Sequence, residues 1–319
     1  MTQPYKHLTW PLFLEFIRLP AKAASMLPYA LGISYAAWAF QQFSWVNSLL
    51  YGLAQLAIAL FVTGFNNVQD YFKAKDHSYQ QQQNIIGREH LSPWGMLALT
   101  ILMLLVSVVL GLLLVMRTNL SLLVIGAIGV GIAILYTFGP IPLSRLPLGE
   151  LLAGIVEGFG TFTIAVLINM QAPQPLDLVL GRRTFAFSLN LGWLLQLFIA
   201  ILPIVILNAA VMFADNIADL EQDVKNERYT LPYYLGKQRA LRWYRLIPFT
   251  TFVTLLLGIV TGTLPIWSLL VLATWPLVLH NTRAYTNSPS KDKTFIFTIR
   301  SLLSFGGALL VTLWLGIWF

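Results

Sequence analysis

Apolar and polar residues are sorted along this chain into long apolar stretches divided by short polar segments. A helix needs about 20 apolar residues to cross the hydrocarbon layer of a bilayer. Nine stretches meet that length: 23–43, 47–69, 94–116, 119–138, 149–171, 188–216, 244–262, 265–285 and 296–318. Arg117, Thr118 and Asn119 make a tight turn between the third and fourth, and Gly262 to Pro265 one between the seventh and eighth. The pattern predicts an all-α, polytopic membrane bundle of nine transmembrane helices. No soluble domain remains once these spans are removed, so residues 1–319 read as a single integral membrane domain.

Composition agrees. The chain is 57% hydrophobic and 10% charged, whereas soluble domains carry about 25% charged residues. A lipid-embedded bundle needs no polar coat, because helices satisfy their own backbone groups. Cysteine is absent, which excludes disulfides, thiolate metal sites and cysteine nucleophiles. The N-terminal segment mixes prolines and polar residues and does not have the form of a cleavable signal peptide.

The net charge of +7 raises the question of nucleic acid. The charges lie between apolar spans, so basic cytoplasmic loops explain them and no nucleic-acid partner is expected. With a cytoplasmic N-terminus, only Arg117, Arg182 and Arg183 of the 20 Lys and Arg fall outside. That asymmetry predicts N-terminus in and C-terminus out, in a cell membrane.

Two acidic clusters interrupt this plain picture. Asn66 and Asp70 stand four residues apart at the end of the second span, sharing a helix face, with Asp76 in the loop beyond. Asp215, Asp219 and Asp223 repeat the four-residue interval at the end of the sixth. Like charges at this spacing repel, and ionised groups near hydrocarbon are costly. Ordinary solvated helix ends would account for one such acid, less readily for two clusters. Carboxylate oxygens suit Mg²⁺, which keeps some waters and bridges to substrate phosphate. Both spans run outside to inside, so both clusters finish at the cytoplasmic face. His77 and His90 show no metal-ligand spacing.

These motifs together resemble the UbiA superfamily of intramembrane prenyltransferases. Asn-x₃-Asp ends the second helix and Asp-x₃-Asp-x₃-Asp the sixth. Arg18-Leu19-Pro20-Ala21-Lys22 resembles the family's opening Arg-x-Pro-x-Lys. Tyr136-Thr137-Phe138-Gly139-Pro140, then Pro142-Leu143 and Leu148-Gly149-Glu150, resembles the segment joining helices four and five. Asn216 to Asp223, Thr230-Leu231-Pro232 and Leu235-Gly236 are similar to the branch that prenylates 1,4-dihydroxy-2-naphthoate. Two positions depart: Asn67 stands where many relatives carry Asp, and Tyr229 where the naphthoate branch commonly has Arg, with Arg228 beside it.

The resemblance implies transfer of a polyprenyl group from polyprenyl diphosphate to an aromatic acceptor, with Mg²⁺ as cofactor, at a site facing the cytoplasm. It places Asn66, Asp70, Asp219 and Asp223 at the metals, with Asp76 and Asp215 as further candidate ligands. Lys73, Arg88, Lys225, Arg228 and Tyr136 become candidates for diphosphate. Lys22, Arg18 and Glu157 become candidates for the acceptor, and Tyr71, Phe72, Tyr136 and Phe138 for shielding an allylic cation. An acceptor of dihydroxynaphthoate would imply loss of CO₂ and a role in menaquinone biosynthesis. 4-Hydroxybenzoate or protohaem remain alternative acceptors. An ion-coupled transporter is a rival from another class; it predicts acids near the bilayer midplane, where only Glu157 lies.

Overall fold

The computed structural model describes residues 4–140, 142–171, 174–181 and 183–319, apart from the side chains of residues 20 and 21. A short helix α1 (Trp10–Phe16) leads into α2 (Leu19–Ala39), and α3 (Trp45–Lys73) follows. At 1.5 Å per residue the 29 residues of α3 extend about 43 Å, well beyond the hydrocarbon layer. Its C-terminal turns carry Asn66 and Asp70. Ser44 caps its start by accepting from the Asn47 backbone N–H.

A π-helical turn (Tyr79–Gln83) and α4 (Ile85–Arg88) form an extramembrane excursion before α5 (Pro93–Arg117) and α6 (Ser121–Leu135). The fifth predicted span is a composite. It comprises α7 (Gly149–Leu152), a π-helical run (Ala153–Gly160) and α8 (Thr161–Leu167). Next comes an element that the hydropathy pattern does not foretell, an antiparallel hairpin of β1 (Leu176–Leu180) and β2 (Phe185–Leu189). The hairpin takes residues 188 and 189 from the expected sixth span, so α9 (Leu191–Ala218) starts later. Asn190 caps it by accepting from the Trp193 N–H at 3.0 Å.

Short helices α10 (Leu220–Lys225), α11 (Leu231–Leu235) and α12 (Lys237–Tyr244) cover the same end of the bundle as the tip of α3. They lead into α13 (Ile247–Val260), a 3₁₀ run (Ile266–Thr274), α14 (Trp275–Asn287) and α15 (Phe295–Trp318). Among the described residues, six helices are long and apolar enough to cross a membrane: Trp45–Lys73, Pro93–Arg117, Gly149–Leu167, Leu191–Ala218, Lys237–Val260 and Phe295–Trp318. Ser121–Leu135 is a shorter apolar helix. The chain is a multi-pass, mainly helical membrane bundle, with one small hairpin among the described residues.

Its largest core joins α2, α8, α9, α13 and α15 around Tyr35, Phe162, Leu197, Ile204, Leu255 and Phe305. A second, built on Phe16, Phe61, Phe65, Ile86 and Met96, ties α1 and α4 to α3 and α5. Lipid tails are as apolar as Leu, so close backbone approach holds such helices together. Gly32 provides one: a Cβ there would fall 2.6 Å from the Phe162 carbonyl oxygen. Leu102, Leu105, Val106 and Val109 of α5 point outward as a lipid-facing surface.

Candidate active site

Asn66 and Asp70 share a face of α3, and the Asn66 amide donates to the Asp70 carboxylate at 3.1 Å. The α9 helix stops at Ala218, yet Asp219 N–H still donates to Asp215 C=O at 3.0 Å and Asp223 N–H to Asp219 C=O at 2.8 Å. The three aspartates thus keep their helical interval across the junction with α10. Both clusters line one cavity of ≈ 930 Å³. In it carboxylates and cations are present in near balance, among them Arg18, Arg145, Arg228 and Lys291.

Two cations join what the chain separates. Arg228 Nη1 lies 3.6 Å from Asp70 and its Nε 3.4 Å from Asp223. One guanidinium therefore spans from α3 to α10. Lys291, in the α14–α15 loop, sits 3.2 Å from Asp215 and bonds Asp219. Burial pushes the Asp223 carboxyl up to about 7, against the opposing pull of Arg228 and with Asp219 adding to the rise. Burial and the neighbouring Asp215 carboxylate also raise Asp219. Arg228 is held charged by Asp70 and Asp223 despite its burial.

The donors available to a cation are oxygens. Asn66 Oδ1 and Asp223 Oδ2 are buried without a hydrogen-bond partner, which is the state of an oxygen left for a ligand. Oxygen-only donors fit a hard divalent cation and not a soft one. Among the described residues, no three His, Asp or Glu converge closely enough to enclose an ion by themselves. Arg228 and Lys291 lie between the acids and hold their charge.

The remaining candidates divide. Lys73 lines the cavity, donates to Thr137 C=O at 3.1 Å and stands 5.4 Å above the Phe138 ring. Arg88 lines it too, committed to Glu15 at 2.6 Å and Glu89 at 3.3 Å. Lys225 lines it on α10. Arg18 reaches it from the α1–α2 junction, where its φ of 49° is a left-handed backbone unusual for a side-chain-bearing residue.

Asp76, Tyr136, Lys22 and Glu157 do not line the cavity. Asp76 accepts from the Ser78 backbone N–H at 2.9 Å, an Asx turn in the loop. The Tyr136 hydroxyl contacts the Met212 sulfur at 3.6 Å. Lys22 is buried deeper, donating to Ala59 C=O at 3.1 Å and to the Thr63 hydroxyl. Glu157, on the π-helical run, accepts from Ser25 at 3.3 Å and attracts the Lys22 ammonium.

Both departures from the family pattern acquire a physical reason. The Asn67 amide donates to Phe16 C=O at 2.7 Å, a bond that a carboxylate in its place would turn into repulsion. Tyr229 packs against Tyr233 with ring centroids 4.8 Å apart and the planes tilted by 51°, while its neighbour Arg228 turns inward. Sequence reasoning overlooked Lys291, Arg145 and Glu150. Lys291 and Arg145 looked like ordinary loop charges. Glu150, buried and accepting from Asn216 at 2.8 Å, was legible only as part of a motif.

Comparison with known proteins supplies the context. The sequence matches the model of the UbiA prenyltransferase family over residues 25–302. A 1,4-dihydroxy-2-naphthoate octaprenyltransferase of Bacillus subtilis is 25% identical over 292 residues, 90% of this chain and 86% of that protein. One of Mycobacterium leprae is 26% identical over 260 residues, 81% of this chain and 80% of that protein. A UbiA homologue from Aeropyrum pernix superposes with a TM-score of 0.64 at 17% identity, covering 91% of this chain and 97% of that one. One from Archaeoglobus fulgidus, bound to DMAPP and Mg²⁺, superposes with a TM-score of 0.59 at 14% identity, covering 94% and 99%.

Proposed function

The chain belongs to the UbiA prenyltransferase family, and from this we propose that it transfers a polyprenyl group from its diphosphate to 1,4-dihydroxy-2-naphthoate, with loss of CO₂, in menaquinone biosynthesis. The acceptor is proposed on the names of the two bacterial relatives. The single observation that carries the chemistry is Arg228 bridging Asp70 and Asp223 within one charged cavity. A diphosphate needs both cation-binding acids and direct cationic contacts, and this cavity holds the two interleaved.

Asn66, Asp70, Asp219 and Asp223 would hold Mg²⁺, with Asp215 beside them; Asp76, turned into its own loop, is the least placed to join. The bound metal would supply neutralisation of charge on the departing diphosphate. Arg228, Lys73 and Lys225 are positioned to hydrogen-bond phosphate oxygens, with Arg88 at the same wall. Arg18 is the cavity-lining candidate for the acceptor carboxylate, and Lys22 and Glu157 would act from the layer beneath.

The allylic C–O bond breaks with its electron pair leaving on diphosphate. The carboxyl-bearing ring carbon attacks the allylic carbon, and CO₂ departs, returning its bonding electrons to the ring. No proton need be taken from that carbon. The active site is proposed to face the cytoplasm of a nine-span bundle with its N-terminus inside and its C-terminus outside, the whole chain acting as one domain.

The test uses the purified protein in liposomes with radiolabelled polyprenyl diphosphate and each acceptor in turn. Label should enter dihydroxynaphthoate, stop when Mg²⁺ is chelated, and return when Mg²⁺ is restored. Label entering only 4-hydroxybenzoate or protohaem would overturn the acceptor. Transfer that survives Asp70→Ala and Asp219→Ala would overturn the site.

A further inference from the structure

The β1–β2 hairpin presents an apolar face that is half-buried at Leu176 and Leu178 and exposed over the rest of its length. The register pairs Leu176 with Leu189, Leu178 with Phe187 and Leu180 with Phe185. Side chains alternate along a strand, so these six apolar residues share one face. Phe185 is 69% exposed, Leu180 62% and Phe187 52%. The opposite face carries Asp177, Val179, Ala186 and Ser188.

The hairpin is anchored by its polar side. Asp177 accepts from the Asn119 amide at the α5–α6 turn, and the Ser121 hydroxyl donates to Leu176 C=O at 3.1 Å. Asn190 N–H donates to Pro175 C=O at 2.8 Å, tying the root to the start of α9. The strands thus sit at the end of α9 opposite Asp215. That end is about 40 Å from the acids along a helix of 28 residues.

A flat, uncovered apolar sheet face in water is an aggregation liability. Here its surroundings say what covers it. It continues into the exposed Leu191 of α9, and Leu123, Val124 and Ile128 of the neighbouring α6 are exposed as well, so the face adjoins the surface that the bundle gives to lipid. Its turn carries Arg183, which is exposed. Arg183 is one of the few basic residues that run against the charge asymmetry of the chain. Arginine forks match phosphate oxygens, and an amphipathic element with basic residues at its polar edge lies in the headgroup layer with its apolar face in the acyl boundary.

We propose that this hairpin is an interfacial anchor: Leu178, Leu180, Phe185 and Phe187 insert into the leaflet opposite the catalytic cavity, and Arg183 of the turn engages phospholipid phosphates there. The partner is the bilayer itself, not a second copy of the chain or another protein. This stands independently of which prenyl acceptor the cavity takes.

Because the chain has no cysteine, Phe187→Cys provides a single labelling site remote from the cavity. The full-length variant, labelled with the environment-sensitive fluorophore NBD and reconstituted in phosphatidylcholine–phosphatidylglycerol vesicles, is compared with and without lipids spin-labelled near the headgroup or deep in the acyl chain. Blue-shifted emission that loses most of its intensity to the shallow quencher, and less to the deep one, is expected. Water-like emission without quenching would overturn the proposal. So would blue-shifted emission that neither quencher touches, which indicates a protein covering the face. Ala186→Cys, on the opposite face, should emit at longer wavelength and be quenched less; equal behaviour of the two labels would also count against an oriented anchor. Size-exclusion elution unchanged from the parent in detergent establishes that each variant is folded.

Discussion

Arg228 and Asp70 meet at 3.6 Å although one lies in the loop after α10 and the other at the tip of α3. With Asp223 on its other edge, the guanidinium is the hinge point of the two acidic clusters. Arg228→Ala leaves the buried Asp223 and the half-buried Asp70 without their shared counter-ion and removes a phosphate donor. A fall in kcat/KM of about 10²- to 10³-fold is expected, the range for losing one preorganised charge-stabilising group. Arg228→Lys should recover only part, because an ammonium cannot reach both carboxylates as a planar fork does. Steady-state kinetics of the two variants checks this, and full activity in Arg228→Lys would count against the bridging role.

Asp223 gives the metal-free site a pH dependence. Its carboxyl, raised to about 7, is faced by Arg228, Asp219, Lys291 and Asp215. A cation must displace that proton, so Mg²⁺ affinity should climb as pH rises through 7 and be about tenfold weaker at pH 6 than at pH 8. Folding carries the matching sign. A carboxyl raised in the folded state favours protonation there, so its contribution is best below about pH 4 and declines as pH rises towards 7. Calorimetric titration of Mg²⁺ at both pH values tests the first statement, and metal-free melting curves of the parent and Asp223→Asn the second, the variant losing that slope.

Restoring the acid that many relatives carry at position 67 should do harm here. Asn67→Asp replaces the amide donor to Phe16 C=O with a buried carboxylate facing a carbonyl oxygen. A loss of about 1–3 kcal/mol is expected, with a lower melting temperature and no tightening of Mg²⁺ binding. A more stable variant, or one that binds Mg²⁺ more tightly, would show that Asn67 belongs to the metal site after all.

Glu150 tests the support beneath the acid stripe. It is buried on α7 and accepts from the Asn216 amide at 2.8 Å, next to Asp215. Glu150→Ala leaves that donor unpartnered and should cost about 1–3 kcal/mol together with a drop in kcat. Glu150→Gln keeps a carbonyl acceptor and should lie close to the parent. Thermal unfolding in detergent alongside turnover distinguishes the two.

Much of the architecture was legible because its signals are local. Hydropathy located the long helices α3, α5, α9 and α15 to within a few residues, since a bilayer demands an unbroken apolar run. Four-residue spacing put Asn66 with Asp70, and Asp215 with Asp219 and Asp223, because a helix repeats its faces at that interval. The hairpin escaped notice: Leu178, Phe185 and Phe187 fall between the fifth and sixth predicted spans, and a search for long apolar runs does not register a pair of five-residue strands. Asp76 reads as a candidate ligand by its place in the sequence; in the fold it accepts from Ser78 N–H and lies outside the cavity lining.

By itself the sequence determined the class of the molecule, a membrane bundle with two acid clusters at helix ends, because hydropathy and helical periodicity depend on neighbours along the chain. Tertiary structure alone decided that Arg228 joins those clusters, that Lys291 arrives from the far end of the chain to stand between Asp215 and Asp219, and that Lys22 and Glu157 lie beneath the cavity. A loop side chain takes its direction from whatever helices pack against it, and those lie many residues away.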